Sequence, residues 1–224
     1  MPSLTVGSRT GLSLTTEPSA RVFDLDRIVL DPRLLSETER ERVERKATPT
    51  LRHRQAASFQ CLRQALGTLL GLPPEDVPIS IGGSGKPYLA GHRLAFNLSH
   101  SHGMALLAWG TREMGADIEM LIAHPSDKLA QAILSPAELE CWRFVATSER
   151  AAWLTRAWTR KEAALKAVAH GLRTPPERVE VMIDAKEGAA WTIMLDGRRW
   201  RGVDWTPEVP SDYRAALCYE RIAD

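Results

Sequence analysis

The spacing of apolar residues predicts helices and strands in an order that occurs twice along the chain. Apolar side chains that recur three and four positions apart predict amphipathic helices; the main ones cover residues 36–47, 52–70 and 149–170. Short apolar runs between turn residues predict strands; these cover residues 21–29, 77–81, 94–98, 104–109, 115–119, 178–183, 190–195, 199–205 and 213–219. Because helices precede strands both times, we expect a duplicated α+β unit with an active site between its halves.

Local capping signals mark the ends of several helices. Ser36 with Glu39, and Ser135 with Glu138, have the spacing of a capping box, in which two side chains satisfy backbone N–H groups at a helix start. Gly171 stands where the last long helix should end, because glycine adopts the left-handed conformation of a C′ residue without a steric clash. The sequence therefore predicts two helix starts and one helix end from local chemistry alone.

Composition and charge narrow the class of protein. Of the 224 residues, 44% are apolar and 25% are charged, which is ordinary for a globular protein with a buried core. The net charge of +1 argues against a general nucleic-acid or membrane-surface binder. Any anionic ligand must therefore be met by lysine and arginine residues that are placed locally.

The cysteines and the N-terminus predict a cytoplasmic location. Cys61, Cys141 and Cys218 lie far apart and form no C-x-x-C motif, which favours reduced thiols over disulfides or a zinc site. The N-terminus lacks the profile of a signal peptide, and no apolar run reaches the length of a transmembrane helix. We therefore expect a cytoplasmic protein that binds neither nucleic acid nor membrane.

The segment 158–172 groups reactive side chains on one side of a predicted helix. Its members are three or four positions apart and stack along that side; they are Trp158, Glu162, Leu165 and Lys166. Taken alone, Glu162 and Lys166 could be an exposed ion pair that stabilises the helix by about 0.2–0.5 kcal/mol. An acidic segment and a polar segment earlier in the chain favour a functional interpretation instead.

The acidic segment contains Asp117 and Glu119 on a predicted strand. Residues two apart on a strand project from the same face, so both carboxylates lie together while Ile118 points into the core. Acid pairs of this kind are also common on solvated strands. With Glu162 as a third oxygen ligand, however, they could bind Mg²⁺, which uses carboxylates together with substrate phosphates and water.

The polar segment around His100 admits several interpretations. A nucleophilic Ser99–His100 pair is disfavoured, since adjacent strand residues point to opposite faces and the G-x-S-x-G turn is absent. A zinc site formed by His100, His102 and Asp117 lacks further histidine or cysteine ligands at suitable spacing. Contacts to a phosphate and a purely structural turn both remain open. The loop 82–87 contains glycine and lysine but lacks the register of a nucleotide P-loop.

Four motifs occur in a characteristic order along the chain. They are GKP at 85–87, FNLSHS at 96–101, GADIE at 115–119, and WTRKE at 158–162 followed by Lys166. Together they resemble the 4′-phosphopantetheinyl transferases of the surfactin-synthetase-activating type, over nearly the whole chain. The resemblance implies a monomer of two pseudo-symmetric α+β halves, residues 1–114 and 115–224, with coenzyme A bound between them. It also implies transfer of 4′-phosphopantetheine to a serine of an apo acyl or peptidyl carrier protein, with release of 3′,5′-ADP.

The resemblance further implies roles for individual residues. Asp117, Glu119 and Glu162 would hold Mg²⁺ on the coenzyme A diphosphate. Glu162 would also be the base for the carrier-protein serine, and Lys166 and His100 would stabilise the departing 3′,5′-ADP. Contacts to coenzyme A would come from Lys86, Ser99, His100 and Lys166 at the phosphates, and from Arg54 at the nucleotide end.

Three positions depart from the pattern of these transferases. Ala116 replaces a branched residue, which changes packing only slightly. Ala169 replaces a glycine near the end of the last long helix. Glu39 stands where some relatives have a lysine for the 3′-phosphate, so that contact would come from Arg42 or be missing.

Two other functions would use the same residues. A metal-dependent phosphohydrolase would act on a nucleotide with the three acids and without a carrier protein. A catalytically silent carrier-protein binder would have no use for a metal triad, and the presence of the acids and Lys166 therefore argues against it.

Overall fold

The computed structural model describes residues 17–169, 174–181, 183 and 188–221. The helices are α1 Glu37–Glu44, α2 Pro49–Leu70, α3 Asp127–Ile133, α4 Pro136–Trp142 and α5 Arg150–Ala167. The strands are β1 Ser19–Asp24, β2 Ile79–Ile81, β3 Pro87–Leu89, β4 Ala95–Ser101, β5 Met104–Gly110, β6 Met114–Met120, β7 Ala190–Leu195, β8 Arg198–Asp204 and β9 Tyr213–Glu220. Helices packed on antiparallel sheets make this an α+β protein, as the sequence predicts.

The first half is a three-stranded antiparallel sheet covered by α2. Its strand order is β1-β5-β4, with the apolar β5 in the centre. Leu62 and Leu66 on α2 pack in one core with Phe96, Leu107 and Trp109 of the sheet. These side chains recur at helical spacing on α2 and at strand spacing on β5, so each element buries one face against the other.

The second half repeats this arrangement with four strands and α5. The strand order is β6-β9-β8-β7, and all neighbours are antiparallel. Ala163, Ala164 and Leu165 on α5 pack with Trp191 and Ala216 of the sheet. One long helix on one antiparallel sheet is therefore the unit that occurs twice.

The two halves meet along β4 and β6, which lie side by side but belong to different sheets. The side-chain oxygen of Asn97 on β4 accepts a hydrogen bond from the Ala116 amide on β6 at 2.9 Å. On its other side β6 touches α5, because Gly115 has no side chain: a Cβ there would lie 2.1 Å from the Ala163 carbonyl oxygen. Strand β6 thus lies between β4 of the first half and α5.

Both predicted capping boxes are present. Ser36 Oγ accepts from the Glu39 amide at 3.3 Å, and the Glu39 carboxylate accepts from the Ser36 amide at 2.8 Å. Ser135 and Glu138 form the same reciprocal pair at the start of α4. These helix starts are predictable because a capping box involves only residues within one helical turn.

Two strand predictions were wrong in part or in full. The strand predicted over 21–29 ends at Asp24, whose carboxylate caps the 3₁₀ turn that follows. The segment predicted as a strand over 178–183 contains no strand among its described residues, and Met182 lies outside them. Pro176–Arg178 is instead a 3₁₀ turn, which suits a proline that lacks an N–H for strand pairing.

The end of α5 also differs from its prediction. The helix ends at Ala167, and Ala169 has a φ of +57°, the left-handed conformation expected for Gly171. Gly171 itself lies outside the described residues. Because a Cβ disfavours this conformation by roughly 1–2 kcal/mol, the sequence pointed to the nearest glycine rather than to the alanine that adopts it.

The three cysteines form no disulfide bonds, and two of them are buried. Cys61 and Cys218 are buried, whereas Cys141 is exposed. Burial raises the pKa of the Cys61 thiol to about 11, so this thiol stays neutral at pH 7. In the part of the chain that the structure describes, no helix combines the length and apolar character needed to cross a membrane.

Candidate active site

Strand β6 places two carboxylates at the seam between the halves. Asp117 and Glu119 face Ser99 and Ser101 of β4, and each serine donates a hydrogen bond to one acid. Ile118 between the acids is fully buried in the core, as strand alternation predicts. Only 1% of Asp117 is exposed, which rules out the ordinary solvated acid pair.

Asp117 is the centre of a hydrogen-bonded cluster. Its Oδ1 accepts from the Lys166 ammonium at 2.6 Å and from the Ser99 hydroxyl at 2.8 Å. Lys166 Nζ also donates to Ser99 Oγ at 3.0 Å. Burial disfavours the charge of Lys166, but the Asp117 carboxylate outweighs it, so the pKa of Lys166 is raised and the ammonium stays charged. The structure thus brings together three residues that the sequence predicts for the site.

Glu119 is held by Ser101 and Trp158, to which the sequence motifs assign no role in the site. Ser101 Oγ donates to Glu119 Oε2 at 2.6 Å, and Trp158 Nε1 donates to Glu119 Oε1 at 3.4 Å. The signal for Ser101 was available, because it follows Ser99 by two positions and therefore projects from the same face of the strand. Trp158 was identified as part of the helix side, but its partner lies 39 positions away.

Glu162 lies on α5 one turn before Lys166. Its Oε1 is buried and has no hydrogen-bond partner among the described residues. Burial, and next the charge of Asp117, raise the pKa of the Glu162 carboxyl, and the same two causes raise the pKa of Glu119. Three acids therefore share one site, and the single ammonium of Lys166 offsets their repulsion only in part.

The three acids supply the hard oxygen donors that Mg²⁺ prefers. Asp117 Oδ2 and Glu162 Oε1 are both buried without a partner in the described ranges, and a bound cation would satisfy them. As the side chains stand, no three described His, Cys, Asp or Glu residues are arranged around one metal position. The zinc site considered above, formed by His100, His102 and Asp117, is therefore not assembled among the described residues either. The donor set thus fits Mg²⁺ in chemistry, while Lys166 supplies the positive charge beside Asp117 in this arrangement.

His100 lines a separate cavity of about 430 Å³ in the first half. Arg42 and Phe59 line the same cavity, and the Arg42 guanidinium lies 5.1 Å from the Phe59 ring centroid. The imidazole is exposed to solvent, yet desolvation by the surrounding protein lowers its pKa, followed by the positive charges of Lys46 and Lys166. His100 is therefore a neutral hydrogen-bonding group near several cations at pH 7.

Arg54 and Glu39 are each engaged by a protein partner. Arg54 forms two hydrogen bonds of 2.7 Å with the carboxylate of Asp26, and these bonds lower the pKa of Asp26. Glu39 is buried, and its carboxylate accepts from Arg63 at 2.7 Å. Asp26 thus engages two of the five N–H donors of Arg54, and Glu39 serves the helix cap and the ion pair rather than a ligand.

Lys86 is likewise engaged by protein acceptors. Its ammonium donates to the carbonyl oxygen of Met114 at 2.9 Å, to that of Ala167 at 3.1 Å, and to Glu113 Oε2 at 3.1 Å. An ammonium has three N–H donors, and each has an acceptor here. In this arrangement no N–H of Lys86 is left for the phosphate contact that the resemblance implies.

Two buried cations next to Glu162 were also missed from the sequence. Arg160 forms two hydrogen bonds of 2.7 Å with Asp204, and Lys161 Nζ lies 2.6 Å from a carboxylate oxygen of Glu138. Both cations are fully buried. Nothing local identifies their partners, because the acids lie on elements far away in the chain.

Comparison with known proteins matches the region that holds this site. Residues 113–218 match the model of the 4′-phosphopantetheinyl transferase superfamily. The 4′-phosphopantetheinyl transferase HetI of Nostoc sp. is 35% identical over 172 residues, which cover 71% of this chain and 72% of the relative. The 4′-phosphopantetheinyl transferase of Bacillus subtilis is 25% identical over 167 residues, covering 74% and 73%. The 4′-phosphopantetheinyl transferase AcpT of Salmonella typhimurium is 41% identical over 118 residues, covering 49% and 57%.

Proposed function

Because this chain belongs to the 4′-phosphopantetheinyl transferase family, we propose that it moves 4′-phosphopantetheine from coenzyme A to a serine of an apo acyl or peptidyl carrier protein and releases 3′,5′-ADP. One observation carries the proposal: a cluster of acids and one ammonium at the seam of the halves, namely Asp117, Glu119, Glu162 and Lys166. Phosphoryl transfer from a diphosphate needs both kinds of group, since charge must be neutralised and the reactants positioned.

Asp117, Glu119 and Glu162 are the residues that we assign to Mg²⁺. The two buried oxygens without partners, one on Asp117 and one on Glu162, support this assignment. When bound, Mg²⁺ would neutralise negative charge on the diphosphate oxygens. Ser101 and Trp158 hold Glu119 in place for that purpose.

Glu162 is also the group that we assign as general base. The carrier serine oxygen forms a bond to the β-phosphorus of coenzyme A, and the bond from that phosphorus to the bridging oxygen breaks. The bonding electrons leave with 3′,5′-ADP, and the serine proton passes to Glu162. The position of Glu162 on α5, beside the Asp117 carboxylate and one turn before Lys166, supports this role, because a general base must lie within reach of the proton that it takes.

Lys166 and His100 are the groups that we assign to the leaving phosphates. The Lys166 side chain is 29% exposed and keeps its charge, so its ammonium can donate to a phosphate at the seam. Ser99 lies within hydrogen-bond distance of Lys166 and would orient it. The cavity lined by His100 and Arg42 is suited to the anionic nucleotide end, because its cations favour phosphate.

We extend the proposal to the type and state of the enzyme. The four sequence motifs support the surfactin-synthetase-activating type, with halves at 1–114 and 115–224. A monomer is supported because one chain supplies every member of the cluster: Ser99 and Ser101 from the first half, and the acids and Lys166 from the second. The free cysteines are compatible with the cytoplasm, where thiols stay reduced.

Incubation with coenzyme A, Mg²⁺ and a panel of apo acyl and peptidyl carrier proteins tests the proposal. We expect a carrier to gain the mass of phosphopantetheine, with equal formation of 3′,5′-ADP, and a metal chelator to abolish both. Phosphate release without a carrier would instead identify a metal-dependent phosphohydrolase. Carrier binding without any gain in mass would identify a silent binder.

A further inference from the structure

Lys86 joins the two halves at the end of the helix that carries Glu162 and Lys166. It belongs to the first half, where it directly precedes β3 in the β2–β3 hairpin. Its acceptors lie on elements of the four-stranded sheet and its helix: the carbonyl oxygen of Met114 at the start of β6, and that of Ala167, the last residue of α5. Only 17% of the Lys86 side chain is exposed. The contact is therefore built into the fold rather than lying on its surface.

The position of the ammonium suits the end of a helix. The last carbonyl oxygens of a helix lack intrahelical donors and carry the negative end of the helix dipole. Lys86 supplies a donor and a positive charge at that place. Glu113, which is 59% exposed, is the weaker of its partners, since an exposed ion pair contributes little.

The same two segments meet again next to the Lys86 contact. Lys86 binds β6 and α5 at residues 114 and 167, while Lys166 on α5 binds Asp117 on β6 at 2.6 Å. Between these contacts lies Gly115, where helix and strand are already as close as backbone allows. Movement of the α5 end would therefore shift Lys166 relative to Asp117.

We infer that Lys86 is a positioning residue for the Lys166–Asp117 pair and not a phosphate ligand. This inference rests on the proposed function for its effect on transfer, but the contact itself does not. Lys86 ties the α5 end to the strand that carries two of the acids, and thereby sets where the Lys166 ammonium meets the diphosphate. All three N–H donors of the Lys86 ammonium are engaged by these protein acceptors.

Three variants separate the two roles. Lys86→Met keeps the length of the side chain and removes the donors, Lys86→Arg restores donors to the carbonyl oxygens, and Glu113→Gln weakens only the exposed partner. Lys128→Met, at an exposed lysine on α3, is the matched control. We expect Lys86→Met to accelerate hydrogen exchange of the amides of residues 166–168 in the ligand-free protein, and the control and Glu113→Gln to leave it unchanged. Unchanged exchange in Lys86→Met would overturn the inference even if the protein transferred nothing.

A double-mutant cycle with Lys166→Ala tests the functional part. We expect Lys86→Met to lower the single-turnover transfer rate and the affinity for coenzyme A by about tenfold together, with most of the loss restored by Lys86→Arg. In the Lys166→Ala background, the further loss should shrink to less than about twofold, because Lys86 acts through Lys166. A tenfold loss of coenzyme A affinity that persists in that background would identify Lys86 as a phosphate ligand. An unchanged rate per folded molecule would reduce it to a structural contact.

Discussion

The two long helices occupy equivalent places in the two halves, but they bury different side chains. Helix α2 covers its sheet mainly with apolar and neutral residues, and its buried cation Arg63 pairs with Glu39 of α1. Helix α5 covers its sheet with small apolar residues and adds ion pairs whose acids are buried; among them are Arg160–Asp204, Lys161–Glu138 and Lys166–Asp117. One architecture thus serves as a scaffold in the first half and carries the reactive groups in the second.

The ion pairs of α5 explain what that difference achieves. A buried ion pair adds little net stability compared with apolar side chains, yet losing one partner is costly, because the other charge is left buried and alone. Arg160 and Lys161 tie α5 to β8 and to α4. Glu162 follows them directly on α5, and both pairs restrict how the helix can turn about its axis. We interpret these pairs as determinants of where Glu162 points.

The closest approach between α5 and β6 gives the largest expected effect. In Gly115→Ala the new Cβ would lie 2.1 Å from the Ala163 carbonyl oxygen and 2.4 Å from the Ala167 amide nitrogen, both of them backbone atoms. Backbone cannot yield locally, so we expect a loss of more than about 4 kcal/mol in the free energy of unfolding. Urea denaturation measures it. Gly110→Ala is the control, because its nearest neighbour is the flexible end of Met114 at 2.9 Å; similar losses in both variants would contradict the close-approach argument.

The pair next to Glu162 comes second. Arg160→Met leaves the Asp204 carboxylate buried, and we expect a loss of about 3–5 kcal/mol in the free energy of unfolding. The double variant Arg160→Met with Asp204→Leu should recover most of that loss, because no charge is then left without a partner. The transfer rate of the double variant then measures whether the Arg160–Asp204 pair affects the placement of Glu162 independently of its effect on stability. A fully active double variant would break the proposed link between this pair and Glu162.

The seam acids should show a conflict between stability and activity. Glu162→Gln keeps the shape of the side chain but removes the base, so we expect transfer to fall by at least about 10². Kinetics with a saturating apo carrier measure this. Glu140→Gln, at an exposed acid on α4, should leave transfer unchanged.

The same variant has an opposite expected effect on stability when metal is removed by a chelator. The folded protein raises the pKa of Glu162 through burial and then through Asp117. The stabilising contribution of this group is therefore complete below the ordinary pKa near 4.5 and is lost as the pH rises through the raised pKa. Melting temperatures should consequently be higher for Glu162→Gln than for the parent at pH 8, and equal near pH 4. A parent that is the more stable of the two at pH 8 would show that burial and the charge of Asp117 do not destabilise the charged form of Glu162.

The sequence predicted those features that depend on neighbours in the chain. Both capping boxes are present because each involves residues three apart, and Asp117 and Glu119 share a face because strands alternate. The family motifs identified the residues of the seam cluster for a similar reason, because each motif is a short segment of consecutive residues. Their grouping in space came from the resemblance and not from spacing alone.

The remaining features depend on contacts that no local pattern records. Lys86 was expected at a phosphate, but its acceptors include a carbonyl 81 positions away. Arg54 was expected at the nucleotide, and Asp26, which lies 28 positions earlier, engages one edge of its guanidinium through Nε and Nη2. In each case the residue type indicated an anion-binding cation correctly, while the partner is a protein group chosen by the fold.

The smallest expected effect concerns the end of α5. Ala169 adopts a φ of +57°, which a Cβ disfavours by roughly 1–2 kcal/mol, whereas glycine adopts it freely but loses more chain entropy on folding. We therefore expect Ala169→Gly to raise the free energy of unfolding by about 0.5–1 kcal/mol, or the melting temperature by about 1–4 °C. Ala152→Gly, within α5, has the same cost in chain entropy but relieves no left-handed conformation. We expect it to lower the free energy of unfolding by about 1 kcal/mol. Opposite signs for the two substitutions would establish that strain is stored at the helix end, one turn beyond Lys166, whereas two destabilising substitutions would show that Ala169 is not strained.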